Sequence, residues 1–167
     1  MTRRAAAIAS YVSRKLAKRA AVIVATDTVY GRNMSHQFAT EFVKAGGVVS
    51  AFPSVDEGHR EFPYLVSGFP SQADLIFYGG IYEGAPLLRA MGAAGDKRLL
   101  AIGDGCWDVA NFLRPAGGAA EQGEGVLVLS GCPEKGHVAG AFARIMRNAS
   151  DLQNYGANSN TTRPKPC

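Results

Sequence analysis

Residues Ala20-Ala-Val-Ile-Val-Ala25 form a short, uninterrupted apolar run near the start of the chain. A strand that is covered on both faces has this composition, because neither of its faces meets water. Four further segments show related patterns and are also predicted to be strands. They are Val48–Phe52, Asp74–Tyr78, Arg98–Ile102 and Gly125–Leu129.

Segments with helical periodicity lie between these predicted strands. Asn33 is predicted to cap a helix from Met34 to Ala45, after a loop that covers Thr26–Arg32. The other predicted helices are Ala5–Lys18, Glu61–Ser67, Glu83–Ala94, Trp107–Leu113 and Val138–Arg147. Because a parallel strand pair needs a crossover, this alternation predicts an α/β fold with a mostly parallel sheet of about five strands and helices on both faces.

The chain has 167 residues, which is enough for one domain. It is 47% hydrophobic and 19% charged, so wholesale disorder is excluded, and no apolar run is long enough for a membrane helix. Three cysteines cannot form a disulfide scaffold. Cys106 and Cys132 each follow a predicted strand, and three states remain open for them: a disulfide, a reactive thiol or two inert thiols.

Basic residues are concentrated at the start of the chain. The first 19 residues contain six basic residues and no acid, whereas the remainder contains 12 basic and 14 acidic residues. This pattern is typical of a solvated helix face, with contact to nucleic acid or an anionic membrane as the alternative. No convincing signal peptide precedes the first strand. Residues 149–167 are rich in Asn, Ser, Thr and Pro and are predicted to be a disordered polar tail after a domain over residues 1–148.

Four glycine-containing segments follow predicted strands, where ligands bind in open α/β sheets. Their polar side chains are Asp27, Thr28, Tyr30, Tyr82, Glu83, Asp104 and Ser130. The chain has no phosphate-binding NTPase loop, no dinucleotide-binding glycine turn after the first strand and no nucleophile elbow. Its three histidines are far apart and lack metal-ligand spacing. These features favour a binding module without cofactor, metal or catalytic residues over an enzyme.

The order of several motifs resembles type I periplasmic solute-binding proteins, most closely the branched-chain amino acid-binding proteins of ABC importers. The motifs are Arg19-Ala-Ala-Val-Ile-Val-Ala-Thr-Asp-Thr-Val-Tyr-Gly31, Ala73-Asp-Leu-Ile-Phe-Tyr-Gly-Gly80 with Tyr82-Glu83, and Gly103-Asp-Gly105. The resemblance covers about residues 5–148 in order and spacing. It implies one Rossmann-like lobe, a three-layer αβα sandwich, from a family whose members have two lobes with the ligand between them.

The resemblance also implies a ligand site. Tyr30 resembles the tyrosine that packs on the ligand, and Asp104 resembles the acid that pairs with its ammonium group. Tyr82 resembles the second aromatic residue, although Ile81 and a loop one residue shorter depart from the family pattern. Contact with a ligand and ordinary loop packing both remain open for these side chains.

The family further implies an amino acid or similar small polar solute as ligand, a missing N-terminal lobe and the membrane components of an ABC transporter as partners, and a periplasmic location. The exposed face of a single lobe also predicts association between copies of the chain, and no nucleic acid is expected as a partner. The alternative function is a cytoplasmic small-molecule sensor of the same fold, such as the effector domain of a transcriptional or amide-sensing regulator. An enzyme of the same fold is the third alternative.

Overall fold

A computed structural model describes residues 2–103, 112, 114–121 and 124–128. Its helices are α1 (Thr2–Arg14), α2 (Val29–Lys44), α3 (Pro63–Ser67), α4 (Gly84–Ala93) and α5 (Arg114–Ala116), and α5 continues into a 3₁₀ segment, Gly117–Glu121. Its strands are β1 (Ala20–Thr26), β2 (Val48–Ala51), β3 (Ser54–Val55), β4 (Leu75–Tyr78), β5 (Leu99–Ile102) and β6 (Val126–Val128). The predicted helices Trp107–Leu113 and Val138–Arg147 and the predicted tail, 149–167, lie wholly or mainly outside the described residues.

Every strand pair of the sheet is parallel, in the order β2-β1-β4-β5-β6. The short strand β3 pairs with the end of β1, beyond the point where β2 stops. Because the strands are parallel, the carboxyl ends of β1, β4 and β5 reach the same edge of the sheet, which we call the carboxyl edge. Tyr78 lies opposite Val24 on one side and Ile102 on the other.

Two separate apolar layers cover the sheet. On one face, α1 and α2 pack against inward side chains of β1, β4 and β5, and the ring of Phe38 stacks on that of Phe77 with 3.8 Å between centroids. On the other face, α3 and α4 pack against the alternate residues of the same strands. The predicted three-layer αβα sandwich with a mostly parallel sheet is therefore confirmed, and all of its described strands are parallel.

The start of α2 differs from the prediction. The helix begins at Val29, five residues before the predicted Met34, because the Thr28 hydroxyl caps it by accepting a hydrogen bond from the Gly31 backbone N–H at 2.9 Å. Asn33, which was expected to be the cap, lies inside the helix. Tyr30 is therefore in the first helical turn and not in a loop, and the predicted Thr26–Arg32 loop was wrong.

The basic start of the chain folds as an amphipathic helix. Residues Ala5, Ile8, Ala9 and Val12 of α1 are buried against the core, and α1 ends at Arg14, before the predicted Lys18. Lys18 is buried in the turn after α1 and forms an ion pair with Glu124. It therefore does not belong to a solvated helix face, whereas Arg14 and Lys15 are exposed.

Candidate functional site at the carboxyl edge

The carboxyl edge collects the segments that follow β1, β3, β4 and β5. Asp27 and Thr28 follow β1, the loop 56–62 follows β3, the loop 79–83 joins β4 to α4, and Gly103 follows β5. In this fold class the edge is where ligands bind, because backbone loops of neighbouring strands form a crevice there.

Tyr30 and Tyr82 both lie at this edge. In the sequence, Tyr30 precedes β4 and Tyr82 follows it. Tyr30 is half-buried in the first turn of α2 and packs partly against the core layer under α1 and α2. Tyr82 lies in the loop before α4, and 71% of its surface is exposed. Asp104 lies outside the described residues. Contact of these three side chains with a ligand remains a prediction.

A buried hydrogen-bond network includes Glu83, the residue that directly follows the exposed Tyr82. The phenol of Tyr78, at the end of β4, donates to one oxygen of the Glu83 carboxylate, and it lies 3.1 Å from the hydroxyl of Thr26 at the end of β1. The other carboxylate oxygen of Glu83 accepts a hydrogen bond from the Gly58 backbone N–H at 2.7 Å. Thr26, Tyr78 and Glu83 are all buried. The network thus joins three strand-end segments.

Gly80, the second glycine after β4, makes this close packing possible. A Cβ atom at Gly80 would collide with the Thr26 hydroxyl and with the Tyr78 phenol. Gly58, on the other side of Glu83, has a φ of +81°, a conformation that side chains with a Cβ rarely adopt. Both glycines are therefore required by the geometry of the edge.

Burial raises the pKa of the Tyr78 phenol well above its usual range, and the hydrogen bond and negative charge of Glu83 raise it further. Tyr78 is consequently a neutral hydrogen-bond donor at all physiological pH values. Its hydroxyl group holds the carboxylate of Glu83.

An ion pair between Asp27 and Arg32 lies on the exposed rim of the site. Among residues 2–103, 112, 114–121 and 124–128, no three His, Cys, Asp or Glu side chains are grouped as metal ligands. Within the same part of the chain, none of the helices has the length and apolar content needed to cross a membrane. What the described edge offers chemically is hydrogen bonding, aromatic contact and a backbone surface.

Sequence reasoning listed Glu83 among the polar groups of the edge but did not include it in the ligand site, and it missed Tyr78 and Thr26. A signal was present: Tyr78 is the one residue with a polar group in the strand Leu75–Tyr78, and an acid follows five residues later. A tyrosine in a fully buried strand usually finds a partner for its hydroxyl group. The partner, however, could not be chosen without the fold.

No protein-family model matches the chain. A relative from Brucella melitensis biotype 1, described as Leu/Ile/Val-binding protein homolog 3, is 27% identical over 100 residues, which are 59% of this chain and 27% of the relative. Among the solved structures with a similar fold, two examples match almost the whole chain. Leucine-binding protein LivK from Thermotoga maritima has a TM-score of 0.74 at 20% identity, with 98% of this chain and 44% of LivK covered.

The second structure is the branched-chain amino acid transporter substrate-binding protein LivJ from Streptococcus pneumoniae, in complex with isoleucine. Its TM-score is 0.67 at 20% identity, and the match covers 96% of this chain and 43% of LivJ. The chain therefore spans less than half the length of each of these three proteins. These matches confirm the resemblance predicted from the sequence, and the partial coverage fits a single lobe.

Proposed function

We propose that this chain, which has the fold of one lobe of a type I periplasmic binding protein, is the substrate-binding component of an ABC importer or a part of one. Its ligand is an amino acid or a similar small polar solute, held between this lobe and a second one. LivJ is a substrate-binding protein of an amino acid transporter, and LivK and the Brucella relative are named as amino acid-binding proteins, which supports a role in uptake and not in catalysis.

The observation that carries the proposal is the arrangement of the carboxyl edge. The exposed Tyr82 lies in the glycine-containing loop after β4, and Tyr30 lies in the first turn of α2 after β1, the neighbouring strand. β5, the neighbour of β4 on the other side, ends at Ile102, two residues before Asp104 in the chain. Three adjacent strands thus lead directly to the three predicted ligand residues.

The chemistry of the three side chains suits a zwitterion. An ammonium group needs an acceptor, and the ionised carboxylate of Asp104 supplies acceptors only. A charge-assisted hydrogen bond is strong in a cleft from which water is excluded. Tyr30 and Tyr82 provide aromatic surface for the rest of the ligand. Lobe closure then traps the solute, because the closed form binds it more tightly than the open form.

The proposal includes the partners and location that the resemblance implies. The chain acts in the periplasm, with a second lobe and with the membrane components of an ABC transporter, and it requires neither cofactor nor nucleic acid. The face that meets the second lobe is bare in the single lobe, so two copies can associate through it. Sedimentation at several concentrations tests this association, since a mass that does not change with concentration contradicts it.

An NMR titration of the isotope-labelled chain with L-leucine, L-isoleucine and L-valine tests the proposal. NMR detects the millimolar affinity that half of a cleft retains. We expect shifts clustered at Tyr30, Tyr82 and Asp104, because these residues border the site. A folded chain that shows no shift with any of these amino acids at millimolar concentration contradicts ligand binding by this chain.

The Asp104→Asn variant is the matched test of the ammonium contact. It keeps the shape of the side chain and removes its charge, so we expect the affinity to fall at least about tenfold, as for loss of a charge-assisted hydrogen bond. Unchanged affinity contradicts the role of Asp104. Salt-dependent binding of a DNA fragment by the same chain would instead support the cytoplasmic sensor.

A further inference from the structure

Glu83 is a carboxylate inside the protein at the edge where the ligand is proposed to bind. Only 4% of its surface is exposed. Within the described part of the chain it forms no ion pair, although buried acids are rarely left without a compensating partner. Its partners are the Tyr78 phenol and the Gly58 backbone N–H, one on each carboxylate oxygen.

These two hydrogen bonds join segments that are far apart in the sequence. Gly58 lies in the exposed loop between β3 and α3, and Tyr78 is the last residue of β4. Through Tyr78, Glu83 is also linked to Thr26, two residues before the cap of α2. The carboxylate therefore connects the ends of β1 and β4 with the loop after β3.

The position of Glu83 in the chain couples this network to the exposed rim. It directly follows Tyr82 and directly precedes α4. Because two hydrogen bonds hold the Glu83 side chain, they also restrain the backbone of its neighbour Tyr82. Glu83 is buried, and its carboxylate oxygens accept hydrogen bonds from within the protein, so it is placed to orient the rim and not to touch the ligand itself.

We propose that Glu83 is a positioning residue for ligand recognition, which fixes the Gly58 loop and the exposed Tyr82 at the carboxyl edge. This inference rests on the proposed function of the edge. It assigns Tyr78 and Thr26 to the same role, as the groups that hold the carboxylate in place.

The test compares Glu83→Ala with Glu83→Gln by NMR, first without ligand and then with L-isoleucine. Without ligand, Glu83→Ala removes the acceptor of the Gly58 N–H. We therefore expect large shifts of the Gly58 and Tyr82 amides and about tenfold faster hydrogen exchange at Gly58. With L-isoleucine, the dissociation constant should rise about tenfold, the change that accompanies loss of one orienting hydrogen bond.

Glu83→Gln distinguishes positioning from direct contact with a ligand charge. A glutamine amide can still accept from Gly58 and donate to the Tyr78 oxygen, so it should return the dissociation constant to within about threefold of the original value. If Gln is as damaging as Ala, the charge itself is needed and the positioning role is overturned. If the Ala variant does not fold, Tyr78→Phe removes the phenol hydrogen bond alone, and unchanged Tyr82 resonances in that variant overturn the proposal.

Asp74→Ala is the matched control at the opposite end of β4. The Asp74 carboxylate accepts hydrogen bonds from the Arg19 backbone N–H at 2.9 Å and from that of Ala20 at 3.0 Å. The variant should lose stability but leave the Gly58 and Tyr82 amides and the affinity unchanged. If a general loss of stability causes the Glu83 effects, the Gly58 and Tyr82 amides and the affinity will change in Asp74→Ala as well.

The ligand-free resonances separate this inference from the proposed function. If Gly58 and Tyr82 respond to Glu83→Ala as expected while the unmodified chain binds none of the amino acids, the positioning of the rim stands and the binding function fails. If the amides do not respond but the chain binds L-isoleucine, the function stands and the role of Glu83 is overturned.

Discussion

Two mostly buried acids, Asp96 and Glu83, lie at opposite edges of the sheet and are held in different ways. At the amino edge, where the strands begin, Asp96 and Glu124 are each paired with a cation, Arg98 and Lys18, respectively. At the carboxyl edge, the buried Glu83 is held by a phenol and a backbone N–H and has no cation partner among the described residues. Ion pairs and hydrogen bonds within the chain thus complete the amino edge.

This is the difference that we expect between an edge that stabilises the sheet and an edge that binds a ligand. The amino edge joins the sheet to the turns before its strands, and the aromatic ring beside its Asp96–Arg98 pair, Phe69, is half-buried, with the Arg98 guanidinium 5.7 Å from the ring centre. The carboxyl edge keeps Tyr82 in solvent next to glycine-rich backbone that is tightly packed underneath. A surface that must contact another molecule needs both an accessible rim and a rigid base, because freedom of the base would be lost on binding.

The largest expected effect tests the rigid base. In Gly80→Ala, the added Cβ meets the Thr26 hydroxyl and the Tyr78 phenol, so the variant should lose about 2–3 kcal/mol of unfolding free energy. Urea unfolding followed by circular dichroism measures it. Gly118→Ala is the control, because nothing lies within 4 Å of the Cβ position there. Equal stability of the two variants would show that the carboxyl edge is loosely packed.

The second effect tests the ion pair between Asp96 and Arg98 at the amino edge. The Arg98 guanidinium donates from Nε to Asp96 at 2.8 Å and from Nη1 to the Pro70 carbonyl at 3.0 Å. Arg98→Met leaves the mostly buried Asp96 side chain without its cation and should lower the unfolding free energy by about 2 kcal/mol.

Lys44→Met is the matched control for Arg98→Met, since Lys44 pairs with Glu41 at 2.8 Å on the exposed side of α2. A surface pair of this kind contributes only about 0.3 kcal/mol. A loss in Arg98→Met no larger than in this control, again by urea unfolding, would remove the distinction between the amino edge and an ordinary surface. Arg98→Met should also leave the Gly58 and Tyr82 amides in place.

The smallest effect is a pH dependence that belongs to the carboxyl edge. The pKa of Tyr78 in the folded chain is raised above its ordinary value of 10.0. The neutral phenol therefore contributes stability that is complete below that value and is lost as the pH rises toward the folded pKa. One pH unit above 10.0, the chain should have lost about 1 kcal/mol more than Tyr78→Phe.

Unfolding by urea at several alkaline pH values measures this difference. Tyr64→Phe, which alters an exposed ring, serves as the control for the loss of a tyrosine. Identical slopes of unfolding free energy against alkaline pH for the unmodified chain and Tyr78→Phe would mean that burial of the phenol does not couple to folding.

At the amino edge, the pH dependence of stability has the opposite sign. Burial alone would raise the pKa of Asp96, but its hydrogen bonds from Arg98 outweigh burial and lower it. That contribution is lost only as the pH falls through the folded pKa.

The sheet could be predicted well because its signals are local. β1 and β5 are continuous apolar runs, and their predicted bounds differ from the observed ones by one residue. The start of α2 could not be predicted from the sequence, since Thr28 and Asn33 are both good capping residues. Which of them caps the helix depends on how the chain leaves β1. The site was predicted only where it follows from strand ends: Tyr30 and Tyr82 lie at the carboxyl edge, and their contact with a ligand stays a prediction.

The sequence by itself determined the alternation of strands and helices, the parallel sheet and the edge at which Tyr30 and Tyr82 lie. Periodicity and apolar runs act within a few residues, so they can be recognised without the fold. Only the tertiary structure decided which side chains meet at that edge. Glu83 reaches Gly58 across 25 residues, Thr26 meets Tyr78 across 52, and Lys18 pairs with Glu124 across 106. Such partners depend on how the sheet brings distant segments together, and no local pattern encodes that choice.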